Sequence, residues 1–208
     1  MTRSYNGSAN MKTGPIRPAF ILCTLAALCA CATTRPQPSL SERLDERTGI
    51  TVTTLDRPLE FFCPLAEKGL DAASFADVGL AELNRMGTRS YYLWISVLWG
   101  RTDLNGTDSP RLEAVALDLG DDSVAFDAGS RVAPPSRVKL YTSPADWSEE
   151  LTFALTVDQV RSIAHAPLPA LAISTESGAR YRFTLWKPPT ETLPLFADEL
   201  IDGVPAAR

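Results

Sequence analysis

Residues Thr88–Trp99, TRSYYLWISVLW, are apolar on both sides of a two-residue repeat: Tyr91, Leu93, Ile95, Val97 and Trp99 share one face, while Tyr92, Trp94 and Leu98 share the other. Successive side chains of a strand point to opposite faces, so a strand of this composition belongs inside a sheet that is covered on both sides. Met86-Gly87, just ahead of it, reads as a hairpin turn and makes Val78–Arg85 its antiparallel neighbour. The fold must therefore be built around this hairpin, with material to spare for both of its faces.

The rest of the chain supplies that material mainly as further strands. Ile50–Thr53 and Leu59–Cys63 are strand patterns, as are Leu112–Leu119 and Ser123–Asp127 about a Gly120-Asp121-Asp122 turn. Arg137–Thr142 alternates Val138 and Leu140 with charged residues, Glu150–Leu155 places Leu151, Phe153 and Leu155 on one face, and Leu171–Thr175 with Arg180–Trp186 forms a hairpin about Ser177-Gly178. Ser41–Arg47 reads as a short helix ended by Gly49, and residues 64–76 as loop with a helical turn. Thr156-Val157-Asp158-Gln159 has the form of a capping box; the stripe Val157, Val160, Ile163, Ala164 follows and Pro167 ends it. A last helix, Leu193–Asp202, carries Leu193, Phe196, Ala197, Leu200 and Ile201 at helical spacing and stops at Gly203. The expected class is α+β: about nine mainly antiparallel strands as a sandwich or strongly curved sheet, with the two C-terminal helices packed on it. Residues 40–208 are expected to form one globular domain.

Ahead of that domain, Lys12 and Arg17 precede an apolar run, Ala19–Leu28, that is too short to span a bilayer, which takes roughly 20 residues. It ends in Leu28-Cys29-Ala30-Cys31, so that Met11–Cys31 resembles the signal peptide and lipobox of a bacterial lipoprotein. Leu28, Ala30 and Cys31 match the pattern; Cys29 in the second slot is less usual, and it is a poor lipidation site itself because Leu28 would fill the slot that requires a small residue. The resemblance implies that residues 1–30 are removed, that translation starts at Met11, and that Cys31 carries diacylglycerol and an amide-linked acyl chain such as palmitate. Ala32, rather than Asp, is the pattern of lipoproteins sorted to the outer membrane, so the expected location is that membrane, facing the periplasm. Multiple acyl chains anchor stably where one holds only marginally. Residues 31–39 would be the lipidated N-terminus and a Pro-containing tether, and 32–39 reach at most about 28 Å. The chain as a whole is similar to small proteobacterial lipoproteins, with the specific match confined to Met11–Cys31.

Arg3, Lys12 and Arg17 leave with residues 1–30 and no acid does, so 17 basic against 25 acidic residues remain, a net charge of −8. Nucleic acid is an improbable partner for such a chain. Cys63 would be the one cysteine left neither discarded nor lipidated. A buried small hydrophobe is the favoured reading, beside an intermolecular disulfide or a reactive thiol.

Few residue patterns point to catalysis. His165 is the only histidine, which excludes a multi-histidine metal site, and its place in the last turn of a helix suits the helix dipole. There is no G-x-S-x-G turn, no P-loop and no dinucleotide glycine pattern, so no cofactor is expected. Asp103–Asp108 has its glycine in the wrong place for a calcium loop, and Asp118, Asp121, Asp122 and Asp127 cluster at a hairpin end, where solvated turns are the ordinary explanation beside a weak cation site or a glycosidase-like carboxylate pair. The remaining feature is aromatic: Tyr91, Tyr92, Trp94, Trp99 and Trp186 are either core or a binding face, with Arg85, Arg89, Arg101 and Arg111 as a polar rim or edge charges. The leading expectation is a non-enzymatic envelope protein that binds another protein at the outer membrane. An apolar-ligand or lipid-binding module is the alternative, and a hydrolase using unidentified Asp or Ser residues comes third.

Overall fold

A computed structural model describes residues 39–64, 73–100, 110–167, 169–186 and 192–203, all within one compact unit. The central hairpin is present as β4 (Ala73–Arg85) and β5 (Thr88–Leu98), antiparallel along their length, with Val78 opposite Ile95 and Leu80 opposite Leu93. Met86 and Gly87 take φ of +51° and +88°, the left-handed pair that a two-residue hairpin turn requires. β5 pairs on its other edge with β8 (Glu149–Leu155).

β4 is long enough to serve two strands on its second edge. β2 (Ile50–Leu55) pairs with Ala81–Asn84, and β3 (Leu59–Pro64) pairs with Ala73–Val78. From β2 the sheet continues to β1 (Leu40–Asp45). From β3 it runs on through β10 (Arg180–Leu185), β9 (Ala170–Thr175), β6 (Leu112–Asp118) and β7 (Ser123–Asp127). All pairings are antiparallel. The result is one ten-stranded sheet curled into a half-barrel, rather than a sandwich and with one strand more than expected. Its curl brings the β7 end back toward β8: Phe126 stacks on Phe153 with centroids 4.7 Å apart, and the Val132 N–H donates to the Thr152 carbonyl at 2.9 Å.

The register assigns the faces. The concave side collects Phe61, Ala76, Val78, Leu80, Leu93, Ile95, Val97, Leu151, Phe153, Leu171, Ile173 and Phe183, all buried. At one end it is covered by α1 (Val157–His165) and α2 (Thr192–Leu200), with Val160, Ile163, Leu193 and Phe196 buried beneath them. α1 starts as expected: Thr156 Oγ1 accepts from the Gln159 N–H at 3.2 Å, and Gln159 Oε1 accepts from the Thr156 N–H at 2.9 Å. The Arg161 guanidinium pairs with Asp202 at 2.8 Å, and Arg89 donates to the Leu200 carbonyl.

The convex side is covered by an element with no regular structure. Residues 131–148 cross the outer face of β1, β2, β4 and β5, with bonds to Asp45 and Arg43 and the Tyr141 side chain among their attachments. Asp45 Oδ2 accepts from the Arg137 N–H at 2.7 Å and from Ser136 Oγ at 3.0 Å; Arg43 donates to the Leu140 carbonyl at 2.6 Å; and Tyr141 lies over Gly79, beside Trp94. The Tyr141 hydroxyl accepts from the Leu55 N–H at 3.0 Å and donates to the Leu80 carbonyl at 2.6 Å, at the place where β2 and β3 part company along β4. A Cβ on Gly79 would lie 2.2 Å from the Tyr141 ring.

Two expectations are corrected. Ser41–Arg47 is not a helix: β1 takes Ser41–Asp45 and a turn follows, and the mixed charges suit a sheet edge, where strand pairing outweighs local propensity. Arg137–Thr142 is not a strand; its backbone and side chains bond to Asp45, Arg43 and the β2/β4 junction instead. Of residues 64–76, Ala73–Ala76 belong to β4, while 65–72 lie outside the described residues, as do the whole Met11–Cys31 segment, Arg101 and Asp103–Asp108.

Candidate functional site

Pro144 lies at one edge of the cover formed by residues 131–148, and beside it the convex face of the sheet holds an open groove. Cross-strand register lines up Glu60 (β3), Asp77 (β4), Ser96 (β5) and Glu150 (β8) in one row, with Trp186 beside Glu60 just past the end of β10. The next row carries Phe62, Phe75 and Leu98. Glu60, Phe75, Asp77, Ser96, Pro144 and Trp186 line a shallow groove of about 260 Å³. Phe62, Phe75 and Trp186 form its aromatic wall, with Trp186 centroids 4.9 Å from Phe62 and 6.1 Å from Phe75, and Phe62 6.1 Å from Phe75. Trp186 is 51% exposed and Phe75 41%. Large aromatics held by rigid strands yet left open to solvent are the usual anchors of recognition surfaces.

The polar floor is set apart by its electrostatics. Burial pushes the Asp77 carboxyl up to about 6, and the neighbouring Glu60 charge adds to the rise. Ser96 is fully buried, yet its Oγ makes no hydrogen bond among the described residues. A buried hydroxyl without a partner is costly, and this one sits between two carboxylate-bearing positions on the floor of an open groove. Among the described residues no three His, Cys, Asp or Glu side chains are placed to hold a metal ion.

The five aromatics singled out in the sequence do not share a surface. Tyr91 is 8% exposed on the concave side and Trp94 is 2% exposed on the convex side, under Tyr141. Tyr92 is half-buried, and Trp99 packs edge-on against Tyr181 at 4.9 Å and against Phe183 at 6.3 Å. Trp186 alone among them reaches the groove. The groove's other members went unnoticed in the sequence, though two left a trace: Ser96 interrupts an otherwise apolar run, and Phe62 has the opposite parity to the buried Phe61.

Elsewhere, several charged groups have structural partners. Glu82, buried on the concave side, lies 3.6 Å from Arg89; burial raises its pKa and Arg89 pulls it back. Asp118 accepts from the Gly120 N–H at 3.1 Å and pairs with Arg182 at 2.8 Å, which lowers its pKa. Asp122 accepts from the Ser123 N–H at 2.7 Å. Cys63 is a buried free thiol whose pKa is raised by burial, and His165 is the exposed last residue of α1.

Comparison with models of protein families, with curated proteins and with solved structures gives no match to this chain.

Proposed function

We propose that this chain is a lipid-anchored envelope protein that acts by binding another protein, with the Phe62/Phe75/Trp186 wall and its adjoining groove as the contact surface. The observation that carries this reading is the exposure of Trp186 and Phe75 side by side at an open groove of the sheet, where with Phe62 they form one aromatic wall. The lipobox-like Leu28–Cys31 supplies the anchor, and the tether of about eight residues would hold the start of the folded domain within about 28 Å of the membrane. The alternative of a lipid held between sheet and helices fits the packing less well, because Phe61, Phe153, Phe183 and Phe196 fill that space.

The test is affinity capture of the native protein after cross-linking in cells, with Trp186→Ala run alongside. A reproducible envelope protein in the wild-type sample and at least a tenfold reduction in the variant are the expected results. Capture of no specific partner, or equal capture by both proteins, would overturn it.

A further inference from the structure

Resting on that binding reading, we propose that the groove receives a lysine or arginine side chain from the protein partner, with its charged head between Asp77, Glu60 and Ser96 and its apolar stem against Trp186 and Phe75. Three independent features converge on this occupant. The first is charge: Glu60 and Asp77 face each other across β3 and β4, and Glu150 lies one strand beyond Ser96 on the same row. The second is the wall: a carboxylate floor bounded by indole and phenyl rings matches an organic cation, which gains from both the charge and the ring faces. A bare divalent ion would use only the oxygens, and it would want more of them than this floor offers. The third is Ser96, whose buried Oγ has no partner and can accept from an ammonium or guanidinium N–H donor.

Size argues in the same direction. Sites for drug-sized molecules run from about 300 to 1,000 Å³, and this groove, at about 260 Å³, is scaled to one long side chain. The exposed parts of Trp186 and Phe75 then remain for the residues flanking it. Asp77 also explains a built-in pH response. It faces Glu60 from β3 and Ser96 from β5, with Glu150 of β8 behind Ser96, while Pro144 and Trp186 bring no charge. With its carboxyl poised near 6, the groove becomes a full anion only as pH passes that value. A bound cation favours the ionised form, so binding at pH 5 should release a proton.

The experiment titrates the purified full-length lipidated protein in detergent with end-blocked Gly-Gly-Lys-Gly-Gly and Gly-Gly-Arg-Gly-Gly, followed by Trp fluorescence and calorimetry. The norleucine counterpart and calcium chloride are the comparison probes. Saturable binding of the basic peptides, at least tenfold tighter than norleucine, weakened about tenfold between pH 7 and pH 5 and at least tenfold by Asp77→Asn, is the expected result. Asp77→Asn keeps the side-chain shape and removes a half-buried charge, and an unchanged circular dichroism spectrum and thermal melt at pH 7 separate its loss of binding from unfolding. Equal binding of the norleucine peptide would show an apolar patch only, and calcium displacing the basic peptides would show a metal site; either overturns the proposal, as does no binding at all. The cell-capture experiment separates the two readings: a partner captured equally by wild type and Asp77→Asn would leave the binding function standing and remove the basic side chain from it.

Discussion

Two residues on the convex face carry the most specific physical consequences. Asp77 has a folded-state pKa of about 6, above its ordinary 3.8, so the native state holds the proton more tightly than the unfolded chain does. Its contribution to stability is therefore fully present below about pH 4 and lost as pH rises through 6. Asp77→Asn should accordingly stabilise the protein by on the order of 1–2 kcal/mol at pH 8, with no gain at pH 4, as read from denaturant midpoints at both pH values. Tyr141 does the reverse work, closing the gap between β2 and β3 by bonding Leu55 N–H and Leu80 C=O. Tyr141→Phe leaves both backbone groups buried without that partner and should cost about 2–3 kcal/mol. Gly79→Ala dislodges the same ring and should cost about 1–3 kcal/mol. Because both act on one contact, the double variant should lose less than the two costs added together, which a double-mutant cycle in urea would show.

At the level of elements, the legible parts are those with a strong local period. The β4–β5 and β9–β10 hairpins, β8 and the capped start of α1 follow from alternation, turn glycines and the Thr156/Gln159 pair, and Thr156→Ala should destabilise by about 1 kcal/mol in a thermal melt. The two errors share a physical cause. β1 has no alternating apolar face because it is a sheet edge, and residues 137–142 alternate without a strand partner because Asp45, Arg43 and the β2/β4 junction bind them first. Asp45 matters here beyond its size. The Arg137 N–H, together with Ser136 Oγ and the Arg47 N–H, holds its carboxyl well below the usual carboxylate range. A depressed carboxylate stabilises above its unfolded pKa and loses that contribution as pH falls below it. Asp45→Asn should thus weaken the fold at neutral pH and flatten the loss of stability below pH 4, measured by acid titration of near-ultraviolet circular dichroism.

For the molecule as a whole, the two-sided apolar strand in the sequence already required a covered sheet, but it did not reveal that helices cover one side and an irregular wrap the other. That difference decides where the surface lies. The aromatics expected to form a face, Tyr91 and Trp94 foremost, are consumed by the two covers, and Trp186 is left exposed across the groove from Pro144 at the edge of the wrap. A groove assembled from β3, β4, β5 and the end of β10 has no linear signature, since its members are adjacent only through register. In the proposed lipid-anchored form this surface is joined to a membrane through Cys31, so Cys31→Ala should abolish acylation and move the protein from the membrane to the soluble fraction. The most direct test of the central claim places a photoreactive amino acid at position 186 and, as a control, at Met86, the 97% exposed tip of the β4–β5 hairpin. Irradiated cells should yield a discrete adduct with one envelope protein from position 186 and none from position 86; adducts from 86 alone, or from neither, would contradict the assignment of this groove as the binding surface.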